Sequence, residues 1–92
     1  MGAFKKAQLE ELIGIMQTLS PATLASFLED ILTPQEFKAI IERWQLVKML
    51  KSGVPQRTVA KKLGVSIAKI TRGSRALQNK RGGFNQVLKK IK

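Results

Sequence analysis

Between Gln56 and Arg75 the chain sets cationic and hydroxyl side chains at helical spacing around a frame of small residues. Counting from Gln56, a small residue falls fifth (Ala60), a glycine ninth (Gly64) and a branched apolar residue fifteenth (Ile70). Two short helices that cross closely leave room for little more than a methyl at Ala60. The tight turn between them needs a backbone position at positive φ, which glycine adopts without penalty. Val59, Leu63, Val65 and Ile70 are apolar where such a pair buries its inner side. Gln56, Arg57, Lys61, Lys62, Lys69, Arg72 and Arg75 fall on the outer side. In a helix-turn-helix the second helix enters the major groove of DNA by its N-terminus. That sets Ser66, Ile67, Ala68 and Lys69 nearest the base edges. Gln56 and Arg57 suit phosphate contact, and Arg57 can also reach a guanine. Ile67 and Ala68 offer apolar contact, for instance to a thymine methyl, while Lys69 and Thr71 can bond bases or phosphates.

The charge distribution supports the same chemistry. The 92-residue chain has a net charge of +11. All six acids lie in residues 1–42, beside Lys5, Lys6 and Lys38, whereas residues 43–92 hold fourteen Lys or Arg and no acid. A solvated basic surface normally has acids interspersed, so this half calls for a polyanion. Nucleic acid is the leading partner and an anionic membrane surface the runner-up. Lys80, Arg81, Lys89, Lys90 and Lys92 add long-range attraction. Histidine and cysteine are absent, which removes the commonest general base and the usual metal ligands. Ser20, Ser26, Ser52, Ser66 and Ser74 have no histidine to activate them. The chain therefore reads as a protein that is not an enzyme and has no metal site. No apolar run approaches the ~18 residues of a membrane span, and no signal-peptide pattern opens the chain.

The reading unit needs helices to hold it. Leu9, Leu12, Ile13, Met16 and Leu19 recur at helical spacing. Ser20-Pro21 starts a second helix, with Leu24, Phe27, Leu28 and Ile31 on one face. Thr33-Pro34-Gln35-Glu36 predicts a capping box. The third helix then carries Phe37, Ile40, Ile41, Trp44, Val47 and Leu50, with Leu46 and Met49 off that stripe, and stops at Ser52-Gly53. Pro55 opens a fourth helix to about Leu63, and Ser66 caps a fifth to about Asn79. Lys80–Gly83 reads as a flexible basic joint, and Phe84, Val87, Leu88 and Ile91 mark a last amphipathic helix. The class is all-α, a single domain over 1–92 with body helices in 1–53, the helix-turn-helix in 55–79 and a C-terminal helix in 84–92. The third helix is apolar on more than one face, and a chain this short buries only about 60–65% of its unfolded surface. The N-terminal half is therefore expected to pair with a second copy, a monomeric bundle being the alternative.

Leu32-Thr33-Pro34, Arg43, Gln56-Arg57 and above all Ile70-Thr71-Arg72-Gly73-Ser74 resemble the tryptophan repressor family. The likeness is strong over about residues 30–77 and looser on either side. It implies six helices in the same order, in an intertwined homodimer with two helix-turn-helix heads. It further implies a bacterial regulator, cytoplasmic and nucleoid-associated, that binds double-stranded operator DNA when loaded with L-tryptophan, and needs no other cofactor. By the same resemblance Arg43 and Arg72 enclose the indole, Arg72 with Thr33 holds the carboxylate, and Gly73 leaves room for the ring. Backbone carbonyls near Asp30 and Leu32 of the second copy receive the ammonium. Three positions depart from the family pattern. Ala76 stands where a serine commonly helps bind the ligand amine, Val54 replaces a Ser/Thr cap, and Ala60 stands where a lysine can reach DNA. The expected function is a DNA-binding repressor controlled by L-tryptophan or a similar aromatic amino acid. The alternative is a constitutive or architectural DNA-binding protein without a ligand.

Overall fold

The structure, a computed structural model, describes residues 5–91. Among these the chain forms six α-helices and no strand: α1 Lys6–Gln17, α2 Pro21–Ile31, α3 Pro34–Lys51, α4 Gln56–Leu63, α5 Ile67–Leu77 and α6 Gly83–Ile91. It falls into two compact units, Met1–Phe37 and Lys38–Lys92. The division lies inside α3. Lys92, counted above among the attracting charges, and residues 1–4 of the body segment lie outside the described residues.

In the first unit the helices start where local hydrogen bonding satisfies their free amides. Ser20 Oγ accepts from Thr23 N at 3.2 Å, with Pro21 at the first helical position. Thr33 Oγ1 accepts from Glu36 N at 3.1 Å, and the Glu36 carboxylate accepts from Thr33 N at 2.8 Å, closing the expected reciprocal box. α1 ends at Gln17, so Leu19 lies beyond it, half-buried. There the Thr18 amide and hydroxyl both donate to Ile15 O. Neither α1 nor α2 contains a fully buried residue. Leu9, Ile13, Ile15 and Ile31 are between 41% and 51% exposed.

The second unit holds the core. Leu46 and Val47 of α3, Val59 of α4 and Ile70 of α5 are buried together, with Leu50, Ala60, Leu63, Leu77, Phe84 and Leu88 packed around them. Val59 and Ile70 thus occupy the inner side assigned to them by spacing. α4 starts at Gln56 rather than Pro55, which caps it without a side-chain hydrogen bond because proline has none to offer. α5 ends two residues short of Asn79, because Gln78 caps it and the Asn79 carbonyl turns to other donors.

Those donors correct the flexible joint expected at Lys80–Gly83. Gly82 N donates to Asn79 O at 2.9 Å, and Arg81 N to Asn79 Oδ1 at 3.1 Å. Asn85, the one buried polar side chain described, donates from Nδ2 to Leu77 O and Asn79 O, both at 2.9 Å. Its Oδ1 accepts from Lys51 Nζ at 3.1 Å, which ties α6 to the end of α3. A buried amide with its bonds made is stabilising, and its removal takes a donor from the Leu77 and Asn79 carbonyls, of which Asn79 O keeps Gly82 N. Asn85→Ala is expected to lower stability by about 1–3 kcal/mol in urea unfolding. Gln86→Ala, which removes one exposed bond to Arg81 O, is expected to change it by less than about 0.5 kcal/mol.

Candidate nucleic-acid interface

The α4–α5 pair is set by its turn. Gly64 caps α4 at φ +64°, ψ +37°, and the following Val65 N donates to Ala60 O at 3.2 Å. This left-handed residue brings the chain back over the small Ala60 and redirects it into α5. Ser66 Oγ then accepts from Lys69 N at 3.3 Å and fixes the first turn of α5. The residues expected at DNA are all exposed: Gln56, Arg57 and Lys61 on α4, Ser66 at the cap, and Ile67, Ala68, Lys69 and Thr71 on α5. Ile67 is 54% exposed, an apolar side chain left in water at the entry of the helix. Lys62, Arg72 and Arg75 are exposed as well.

Arg43 of α3 and Arg72 of α5 meet at one cavity of about 160 Å³, lined also by Ala39, Glu42, Leu46 and Lys69. Two elements therefore contribute to one wall, α3 and the helix expected to read bases, α5. Thr33 belongs to the first unit, where its hydroxyl serves as the α3 cap. Gly73 is buried and does not line this cavity. A methyl at Gly73 would collide with Leu46 Cδ1, with Val47 Cγ2 3.6 Å away. Its missing side chain lets α5 lie close on α3.

Glu42 is the residue that spacing alone did not single out. Its Oε1 lies 3.6 Å from Lys69 Nζ and its Oε2 3.7 Å from Lys38 Nζ. It is the last acid of the chain and stands one residue before Arg43, a signal visible in the sequence once a cation is known to face it. Its side chain is 22% exposed and that of Lys69 59%. A pair open to solvent on one side is worth up to about 1 kcal/mol, so it orients Lys69 without locking it.

The profile described as Trp repressor protein matches residues 7–92. The chain belongs to the Trp repressor family. A Trp operon repressor homolog of Xylella fastidiosa (strain M23) is 42% identical over 77 residues, which is 82% of this chain and 84% of that protein. One from Chlamydia trachomatis serovar L2 (strain ATCC VR-902B / DSM 19102 / 434/Bu) is 41% identical over 69 residues, 70% and 73% of the two chains. One from Vibrio vulnificus (strain YJ016) is 39% identical over 67 residues, covering 67% and 66%. No solved structure matches with significance. The six helices agree with the all-α Trp repressor family. Among the described residues no helix is long and apolar enough to cross a membrane.

Because Gly73 packs against buried Leu46, Gly73→Ala overfills this contact. The variant is expected to lose about 1–3 kcal/mol in denaturant unfolding without any ligand present. An unchanged stability would assign Gly73 to the ligand alone.

Proposed function

We propose that this Trp repressor family chain is a homodimeric transcriptional repressor that binds operator DNA through α4 and α5. In this reading L-tryptophan or a similar aromatic amino acid is its corepressor. The observation that carries the reading is the cavity shared by Arg43 on α3 and by Lys69 and Arg72 on α5. A ligand held there touches both the body helix and the reading helix, so its binding energy fixes the angle between them. The guanidinium groups suit the task, since each can stack on an aromatic face and one can take a carboxylate in a bidentate pair. Thr33 supplies a further hydroxyl in this reading, as the family resemblance implies.

The cavity of about 160 Å³ is smaller than the roughly 300–1,000 Å³ usual for a ligand site. A second copy completes it in this proposal, and exposed apolar side chains on α1, α2 and α3 favour such a copy. Ile40 and Ile41 of α3 are 40% and 49% exposed, in addition to those of α1 and α2. At micromolar concentration the chain is expected to sediment as a dimer. A cooperatively melting monomer there would remove the second copy from the proposal.

The ligand step is tested by the affinity for a selected DNA duplex with and without L-tryptophan. The expected coupling is about 1–3 kcal/mol, or roughly 5- to 150-fold tighter binding with the ligand. Arg43→Ala is expected to lose this response while ligand-free binding stays, because Arg43 lies on α3 and is not among the side chains expected at DNA. Equal affinity with and without tryptophan in the wild type would leave the constitutive DNA-binding reading in its place. Ala76, which has no hydroxyl for a ligand amine, is the feature that favours that alternative.

A further inference from the structure

The lysines outside the helix-turn-helix are not scattered. Lys51 lines three neighbouring grooves. The first, of about 460 Å³, brings it together with Gln56 at the start of α4 and Gln78 at the end of α5. In the second, of about 530 Å³, it is joined with Gln78, Lys80 and Lys89. The third, of about 460 Å³, adds Lys48. Gln56, Gln78, Lys51, Lys80, Lys89 and Lys48 thus form one continuous band. It begins at the first residue of α4, placed above at DNA phosphates, and runs across to α6.

No acid occurs in residues 43–92, and the salt bridges among the described residues involve Glu42 with Lys38 and Lys69 alone. The band therefore keeps its full charge. Lys51 is held in place by the neutral acceptor Asn85 Oδ1, which orients the ammonium without cancelling it. A row of ammonium and amide donors matches a row of phosphodiester oxygens, which present about one charge per ~1.7 Å of duplex. A membrane surface fits less well. α6 is nine residues long, and Phe84 and Leu88 of its apolar face are committed to the core.

We infer that this band is a second DNA-binding surface, which holds the phosphate backbone of duplex flanking the site read by α5. It reads no bases. The inference rests on the proposal that α4 and α5 bind DNA, and it assigns to Lys80 and Lys89 direct contact in place of the long-range attraction expected from sequence.

The test uses the full chain and a duplex selected from a random library for tight binding. The duplex is prepared in two lengths, the selected site alone and the site extended by about one helical turn, ~10 bp, on each side. Affinity is measured across a salt series for the wild type and for the Lys80→Gln/Lys89→Gln variant. Both side chains are exposed, and neither makes a hydrogen bond or ion pair within the structure, so the variant is expected to melt as the wild type does. The wild type is expected to bind the longer duplex with a steeper salt dependence. On that duplex the variant is expected to lose about 0.9 in the slope of log K against log salt per phosphate contact, about 1.8 for the two of each protomer and about 3.6 for a dimer engaged on both sides. Its affinity for the short duplex and its base preference are expected to stay unchanged. An equal loss on both lengths would overturn the inference in favour of general attraction. Unchanged DNA binding, with lost binding to phosphatidylglycerol vesicles, would overturn it in favour of a lipid surface. A wild type that binds both lengths alike sinks this inference alone, whereas a library from which no duplex is selected removes the DNA-binding proposal as well.

Discussion

The close approach of α5 to α3 is the constraint on which the rest depends. Gly73 has no side chain where α5 faces Leu46 and Val47, and Ile70, one turn earlier, is fully buried in the same cluster. Helices packed at such short range cannot rotate about their own axes without losing that fit. The inward residues of α5 thereby decide which residues face outward. Ile67, Ala68, Lys69 and Thr71 are exposed because Ile70 and Gly73 are not. The same contact sets Arg72 beside the cavity that Arg43 lines from α3.

Electrostatics follow from this packing. The second half of the sequence carries its positive charge without compensation, and the folded unit sorts that charge by position. Lys69 is held toward Glu42, the carboxylate that pairs with it among the described residues, so the first turn of α5 is partly neutralised from α3. Lys51 meets only the neutral acceptor Asn85, Lys80 and Lys89 make no ion pair, and all three keep their field. One sign of charge therefore serves two purposes, with orientation supplied in one place by an acid and in the other by an asparagine.

The two units also differ in what their side chains achieve. Lys38–Lys92 builds a buried cluster from three helices and closes it with α6. Among the described residues of Met1–Phe37, Ser20 and Thr33 cap their helices, and α1 and α2 hold no buried residue. Capping and intrahelical bonds define such helices locally, but short helices gain most of their stability from a packed apolar face. Leu9, Ile13, Ile15 and Ile31 are apolar side chains of α1 and α2 that remain exposed.

What the sequence determined by itself is whatever depends on short-range chemistry. The Thr33–Glu36 box, the Ser20 and Ser66 caps, the Gly64 turn and the inner positions Val59 and Ile70 each follow from residues within a few places of one another. Charge counting gave the partner class for the same reason, since net charge needs no geometry. The long-range pairings were settled only by tertiary structure. Asn85 reads as one polar residue in an amphipathic helix, yet it joins Lys51, Leu77 and Asn79 across as many as 34 positions and turns an expected flexible joint into a bonded one. Glu42 reads as a body-helix acid, yet it faces Lys69 twenty-seven residues on. Gly73 reads as space for a ligand, and in the fold it also stands against Leu46 and Val47 of α3. In each case the deciding partner lies on another helix, and only the packing of the core fixes which faces of two helices meet.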